Sequence, residues 1–282
     1  MKFKLSKKDI RLLLLLGIAL AIFGYIKRPW FHKIELESEH YQCLSTATET
    51  QTQQILEIAE ALYQCYNNFF PDLKKTNSKK LKLKLYKDRD EFKSYNMLSG
   101  WAEAFYRKPY CHQYYSDKEA NPYHWMIHEA THQLNEELSG FKLEKWLDEG
   151  IAEYFGTSVF EDGRLLAGDI DVNTYPIWWL HSMNLSGDID IDIRATKIIP
   201  LKMVITNSGG PDIDEYFNLY YIHWWSLAHF LVHYKDGQYR DAFFDLVDHG
   251  GTLEAFEKTI GPVHVIQDQW YNYLQETIKG LS

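Results

Sequence analysis

The sequence predicts an α+β protein: a small sheet in the N-terminal part, a helix pair in the middle, a helical C-terminal part, and one transmembrane helix ahead of them all. Three observations predict it. Residues 79–85 alternate Lys with Leu, the period of a strand with one buried and one solvated face. From about residue 120 onward, apolar residues recur mostly at helical spacing. Residues 12–26 form an uncharged run behind five cations, Lys2, Lys4, Lys7, Lys8 and Arg11.

That run is short for a span, which takes about 17–25 residues, but snorkelling by Arg11, Lys27 and Arg28 would extend it. No Ala-x-Ala cleavage site follows it, so an uncleaved signal anchor is expected rather than a removed signal peptide. The basic N-terminus would stay inside and the following domain outside the cytoplasm, although the three cations after the run weaken that bias. The division is therefore residues 1–34 as basic N-terminus and membrane anchor, and residues 35–282 as one domain.

After a polar stretch at 32–50, the set Ile55, Ile58, Ala59, Leu62, Tyr66, Phe69 and Phe70 reads as an amphipathic helix stopped by Pro71. The lysines of 79–85 read as a solvated edge. Residues 105–116, rich in Tyr and Phe, read as one or two short strands. Asn121-Pro122 starts a helix and Ser139-Gly140 ends it, giving a helix over about 122–138. Residues 144–155 form the next helix, closed by Gly156. The acidic repeats at 169–173 and 188–192 lack the Gly and Glu of an EF-hand loop and read as exposed strand or loop. Residues 216–234, 238–248, 253–260 and 266–278 read as four further helices.

Apolar residues make up 45% of the chain and aromatics 16%, which excludes a disordered protein. Residues 1–34 hold eight of the 30 Lys/Arg and one of the 39 Asp/Glu; the rest carries 22 against 38, a charge of −16. So acidic a domain is a poor partner for a phosphate backbone, and no nucleic-acid binding is expected. The three cysteines allow at most one disulfide, and a helix between Cys43 and Cys65 would hold that pair too far apart to bond.

The chemistry is concentrated in His128-Glu129-Ala130-Thr131-His132 and Trp146-Leu147-Asp148-Glu149-Gly150-Ile151-Ala152-Glu153-Tyr154-Phe155. Residues four apart on a helix share a face, so His128 and His132 can bind one Zn²⁺, at about 2.0–2.1 Å from each nitrogen. Glu129 lies about 100° round the helix, placed to reach a water polarised by the metal without ligating it. A catalytic zinc needs a third protein ligand; sixteen residues separate His132 from Glu149, enough to end one helix and begin another. Gly150, without a Cβ, lets two helices approach closely.

These two segments resemble the zinc site of gluzincin metallopeptidases, and most nearly the bacterial peptidase MA-like family. The resemblance covers residues 101–156 strongly, 81–95 and 220–247 loosely, and the N-terminus not at all. It implies a zincin-like fold in which an edge strand ahead of the zinc helix pairs with an extended peptide or protein substrate. It also implies one zinc held by His128, His132 and Glu149, Glu129 as general base, and Glu153 as a hydrogen-bond partner of a ligand histidine. Tyr221-Ile222-His223-Trp224-Trp225-Ser226-Leu227 is similar to the family's Tyr-x-x-x-Trp-x-Leu stretch and makes Tyr221 the donor to the transition state. Tyr220 and His223, three apart, form a rival pair on another face. His124 extends the histidine stripe as a neighbour, and His229 and His233 read as helix packing. Two other functions fit the same residues: a retired zinc-binding or envelope-assembly domain, and a zinc amidase acting on non-protein cell-wall material. The spacing carries the metal site; the peptidase activity comes from the resemblance alone. Nothing in the sequence indicates the oligomeric state.

Overall fold

The computed structural model describes residues 7–26, 29–70, 75–76, 79–99, 102–116, 118 and 121–281. Lys2, Lys4, Lys27, Arg28, Pro71 and Trp101, all invoked above, lie outside the described residues. The first helix, α1 (Lys7–Ile26), leaves its leucines exposed. It corrects the membrane expectation: among the described residues no helix is long and apolar enough to cross a membrane. The first turn and a half of α1 contain Lys7, Lys8, Asp9 and Arg11. The uncharged remainder rises about 22 Å at 1.5 Å per residue, against a hydrocarbon core of about 30 Å. The transmembrane helix, the single-pass anchoring and the extracytoplasmic placement drawn from it are withdrawn.

The rest is α+β, as the periodicities predict. Strands β1 (Ile34–Glu37), β2 (Tyr41–Ser45), β3 (Leu81–Tyr86), β4 (Phe105–Arg107) and β5 (Tyr110–Tyr114) form one mixed sheet in the order β1-β2-β3-β5-β4. β3 runs parallel to β2 and β5, while β1 and β4 are antiparallel edges. The Lys-Leu strand is therefore central rather than an edge. Leu81, Leu83 and Leu85 are buried, and Lys84 lies over the ring of Tyr110 on the other face. β1 and β2 fall in the stretch read as merely polar. The buried face of β2 carries Ser45, whose hydroxyl accepts from Thr52 at 2.8 Å, so its alternation is not apolar.

Helix α2 (Glu49–Phe69) starts at a Thr48–Gln51 capping box and buries Ile55, Ile58, Ala59, Leu62 and Tyr66. A short α3 (Arg89–Tyr95) follows β3. Helix α4 (His124–Gln133) packs against β4 and β5 and continues as a π-helical turn, Leu134–Ser139, ended by Gly140 at φ 67°. Asn121, three residues ahead of α4, accepts from the Tyr123 amide at 3.1 Å, so the predicted start is a turn before the helix itself. Helix α5 (Lys145–Gly156) is wedged between α4 and the later α8. Strands β6 (Ser158–Glu161) and β7 (Arg164–Ile170) form a separate hairpin.

A 3₁₀ turn, Ile177–Ser182, precedes α6 (Ile189–Arg194) and α7 (Leu201–Thr206). Asp188, Asp190 and Asp192 are not an exposed strand or loop. Asp188 caps α6, and Asp192 is fully buried, accepting the Tyr271 hydroxyl at 2.6 Å. Helices α8 (Phe217–His233), α9 (Arg240–Asp248), α10 (Leu253–Thr259) and α11 (Val263–Leu281) complete the chain and match the four predicted C-terminal helices. α8 is buried almost all round, as expected of a helix with little polar face. Gly150 is what lets α5 reach it: a Cβ there would stand 2.8 Å from the Trp224 carbonyl oxygen. Gly156 does the same toward α4, where a Cβ would stand 3.2 Å from that of His128.

Candidate metal centre

The i,i+4 spacing on α4 brings the two imidazoles edge to face, 79° apart, with Nε2 of His128 and His132 separated by 3.1 Å. α5 delivers Glu149 from across the helix pair. Its Oε2 lies 3.5 Å from His128 Nε2 and 3.6 Å from His132 Nε2. This oxygen is buried and has no hydrogen-bond partner. A buried carboxylate oxygen without a donor is costly unless a cation faces it. These three residues form a group that can hold a metal ion.

Behind each histidine stands a second carboxylate. His132 Nδ1 meets Asp148 Oδ2 at 2.9 Å, and His128 Nδ1 forms an ion pair with Glu153 Oε1 at 3.2 Å. Glu153 is 2% exposed, which a helix-surface acid would not be. Asp148 was quoted in the motif above without a role. The available signal was its place beside Glu149, at the start of a helix that must face α4. Asp148 is itself held: Asn135 donates to its Oδ1 at 2.7 Å, and the Tyr66 hydroxyl donates to Asn135 Oδ1 at 2.7 Å. A chain of polar contacts thus runs from α2 to the ligand. Such outer partners fix the tautomer and aim the ring.

The charges are matched to a dication. Burial alone would push His128 down, but the charge of Glu153 and the close approach of the Glu149 and Glu153 carboxylates lift it to about 10. Burial likewise opposes protonation of His132, and the charge and hydrogen bond of Asp148, then those of Glu149, raise it well above its usual value. Burial would raise Glu149, yet the two histidines hold it far below the carboxylate range. Burial also pushes the carboxyl of Glu153 up. Two imidazolium protons or, with neutral imidazoles, one divalent ion would each bring two positive charges to this acidic cluster.

Glu129 projects from α4 toward edge strand β4, where the Tyr106 amide donates to its Oε2 at 2.7 Å. A cavity of about 450 Å³ opens here, lined by Tyr106, Glu129, His132, Phe141, Asp148 and Glu149. A larger groove, about 820 Å³, lies between α2 and the β6–β7 hairpin and reaches none of these residues.

Tyr221, from α8, stands on the other histidine, its ring 6.2 Å from that of His128. Burial, the charges of Glu149 and Glu153 and a hydrogen bond to Glu149 push its phenol far up. The rival pair is engaged elsewhere. Tyr220 donates to the Pro211 carbonyl at 2.9 Å, and His223 bridges the Leu219 carbonyl (2.6 Å) and the Ile199 amide (3.0 Å) at zero exposure. Trp225, one turn beyond Tyr221, is 1% exposed. His124 turns Nδ1 to the Asn121 carbonyl at 2.7 Å and does not join the cluster. All three cysteines are free. No protein-family model and no curated protein matches the chain. What the chain offers on its own account is therefore geometric: a buried two-histidine, one-glutamate group fit for a metal ion, with a further glutamate at its edge.

Proposed function

We propose that the protein is a zinc-dependent peptidase of the gluzincin type. The observation that carries this is the ligand triangle itself. Its edges of 3.1, 3.5 and 3.6 Å average about 3.4 Å, close to the roughly 3.3 Å between ligand atoms set tetrahedrally at about 2.0–2.1 Å from one ion. Two imidazoles and a carboxylate with an open fourth position are the donor set of a catalytic zinc, whereas calcium and magnesium take oxygen cages. When bound, such an ion supplies Lewis-acid polarisation of a water and of the scissile carbonyl.

The chain's own residues do the rest. Asp148 and Glu153 orient His132 and His128 so that both Nε2 lone pairs face one point. Glu129, steadied by the Tyr106 amide, takes the proton of the attacking water and passes it to the leaving amine. Tyr221, whose ring stands 6.2 Å from that of His128, carries a phenol that is protonated at neutral pH and can donate to the developing oxyanion. The outer edge of β4, which pairs with no further strand among the described residues, lies beside Glu129, where an extended peptide backbone can align.

The test is Glu129→Gln in the full chain. It should keep one equivalent of zinc and the fold, yet lose cleavage of a proteome-derived peptide library by orders of magnitude. Loss of zinc would make Glu129 a ligand, and undiminished cleavage would remove it from the reaction. A wild-type protein that binds zinc but cleaves no peptide would favour a binding domain or an amidase instead.

A further inference from the structure

The two flanks of the metal centre differ in kind. On the His132 side the cavity is polar and acidic, with Tyr106, Glu136, Lys142 and Asp148 in its walls. On the His128 side there is an unbroken wall of aromatic rings. It begins at Tyr221 against His128 and passes to Phe217 at 4.4 Å and to Tyr175 at 5.5 Å. Tyr175 stacks on Trp125 at 5.3 Å and meets Trp178 at 5.9 Å; Trp125 and Trp178 are 6.2 Å apart.

Three separate elements build this wall. Trp125 comes from α4, three residues before His128, Phe217 and Tyr221 from α8, and Trp178 from the 3₁₀ turn Ile177–Ser182. Tyr175 beneath them is buried, while Trp178 is 42% and Phe217 36% exposed. The buried ring braces the exposed ones. Exposing two large aromatics forgoes burial that the core could have used. Isolated exposed apolar residues need no explanation, but a contiguous patch marks a binding surface.

We propose that the Trp125–Tyr175–Trp178–Phe217 wall is the specificity surface of the peptidase, taking an aromatic side chain of the substrate on the His128 side of the scissile bond. The inference rests on the peptidase reading above. Continuity with the site selects the occupant: Tyr221 belongs both to the wall and to the metal centre, so a peptide whose carbonyl lies at the metal brings a neighbouring side chain onto these rings. Aromatic pairs at centroid distances of about 4.5–7 Å add attraction beyond their buried area.

Two measurements separate this inference from the reading it rests on. The first is kcat/KM for peptide pairs that differ only by Phe or Ala at each position around the scissile bond. Wild type should prefer Phe by about 10–200-fold at one position. That ratio should fall toward one in Trp178→Ala and in Phe217→Ala, and stay unchanged in Trp179→Ala. Trp179 is equally exposed but has no ring partner among the described residues. The second is binding of the same peptides to zinc-loaded Glu129→Gln by calorimetry, with and without Trp178→Ala.

Cleavage with no positional Phe preference, or a preference unmoved by both wall variants, overturns the specificity surface and leaves the peptidase. Absence of cleavage together with Phe-dependent binding lost in Trp178→Ala overturns the peptidase and leaves the surface. Tighter Trp178-dependent binding of a soluble β-1,4-linked oligosaccharide than of the Phe peptides overturns both the occupant and the wall's assignment.

Discussion

Two buried helices each carry histidines four residues apart, and only one pair makes a metal site. On α4, His128 and His132 stand nearly perpendicular and point their Nε2 atoms at Glu149. On α8, His229 and His233 stack at 28° with centroids 4.4 Å apart, and each spends its nitrogens on neutral groups. His229 meets the Tyr273 hydroxyl at 2.6 Å and the Gly168 carbonyl at 3.0 Å, and His233 meets the Tyr154 hydroxyl at 2.9 Å. The pKa shifts have opposite signs. Burial and the neighbouring His233 push His229 down to about 4, while carboxylates outweigh burial and lift His128 to about 10. Spacing alone therefore offers two imidazoles. A third ligand and carboxylates behind the rings turn that offer into a site for a cation.

The strongest way to break the comparison is to remove a ligand. Glu149→Ala or His132→Ala should abolish retention of stoichiometric zinc by the purified protein, whereas His229→Ala and His233→Ala should retain it. Metal analysis decides, and zinc that follows the α8 pair would reverse the assignment. Next in size is Tyr221→Phe, which should lower kcat and kcat/KM together by about 10²–10³, or about 2.7–4 kcal/mol, with zinc unchanged. Tyr220→Phe, which removes only the bond to Pro211, should leave turnover near normal. A reversed pattern in steady-state kinetics would move the donor role one helical face round.

Removing an outer carboxylate should cost less. Asp148→Asn and Glu153→Gln are expected to weaken zinc binding about 10–100-fold, read by competition with a chelating dye. Equal affinity in both variants would show that the rings are aimed by packing alone. The proton balance sharpens the same contrast. His128 lies above its ordinary value near 6.5, so metal-free protein holds this proton at pH 7; the stability it brings is full below about 6.5 and is lost as pH rises from there through about 10. Zinc binding near pH 7 should thus release at least one proton from the two raised histidines, whose Nε2 atoms share one hydrogen bond at 3.1 Å, and apparent affinity should climb with pH. Calorimetry in buffers of different ionisation heat counts them, and a count of zero would contradict the charge match. The smallest effect is in the α8 pair, where Tyr273→Phe should cost about 0.5–1.5 kcal/mol of stability and no metal.

Much of this was readable in advance where local rules are strong. The helix ended by Gly140, the helix through Glu149 and the four C-terminal helices follow from period and from Gly punctuation. β2 was missed because Ser45 occupies a buried position through a hydrogen bond, which no hydropathy pattern reports, and β1 because only four residues, half of them Glu, form it. The acidic repeat at 188–192 misled because Asp192 is buried with its carboxylate held by the Ser186 amide and by the hydroxyl of Tyr271, 79 residues away. The membrane anchor failed on length: cations drew attention to a run that is about 8 Å short of a hydrocarbon core.

By itself the sequence determined which side chains can share a helix face: His128 with His132, Glu129 beside them, and Glu149 one turn ahead of Glu153. These relations depend on 3.6 residues per turn and on nothing distant. Only the tertiary structure decided that Asp148 backs His132, that the Tyr106 amide holds Glu129, and that Tyr221 rather than Tyr220 faces the cluster. Each of those depends on how two elements dock. Docking is decided at places such as Gly150, where the absence of one Cβ lets α5 close on the Trp224 backbone.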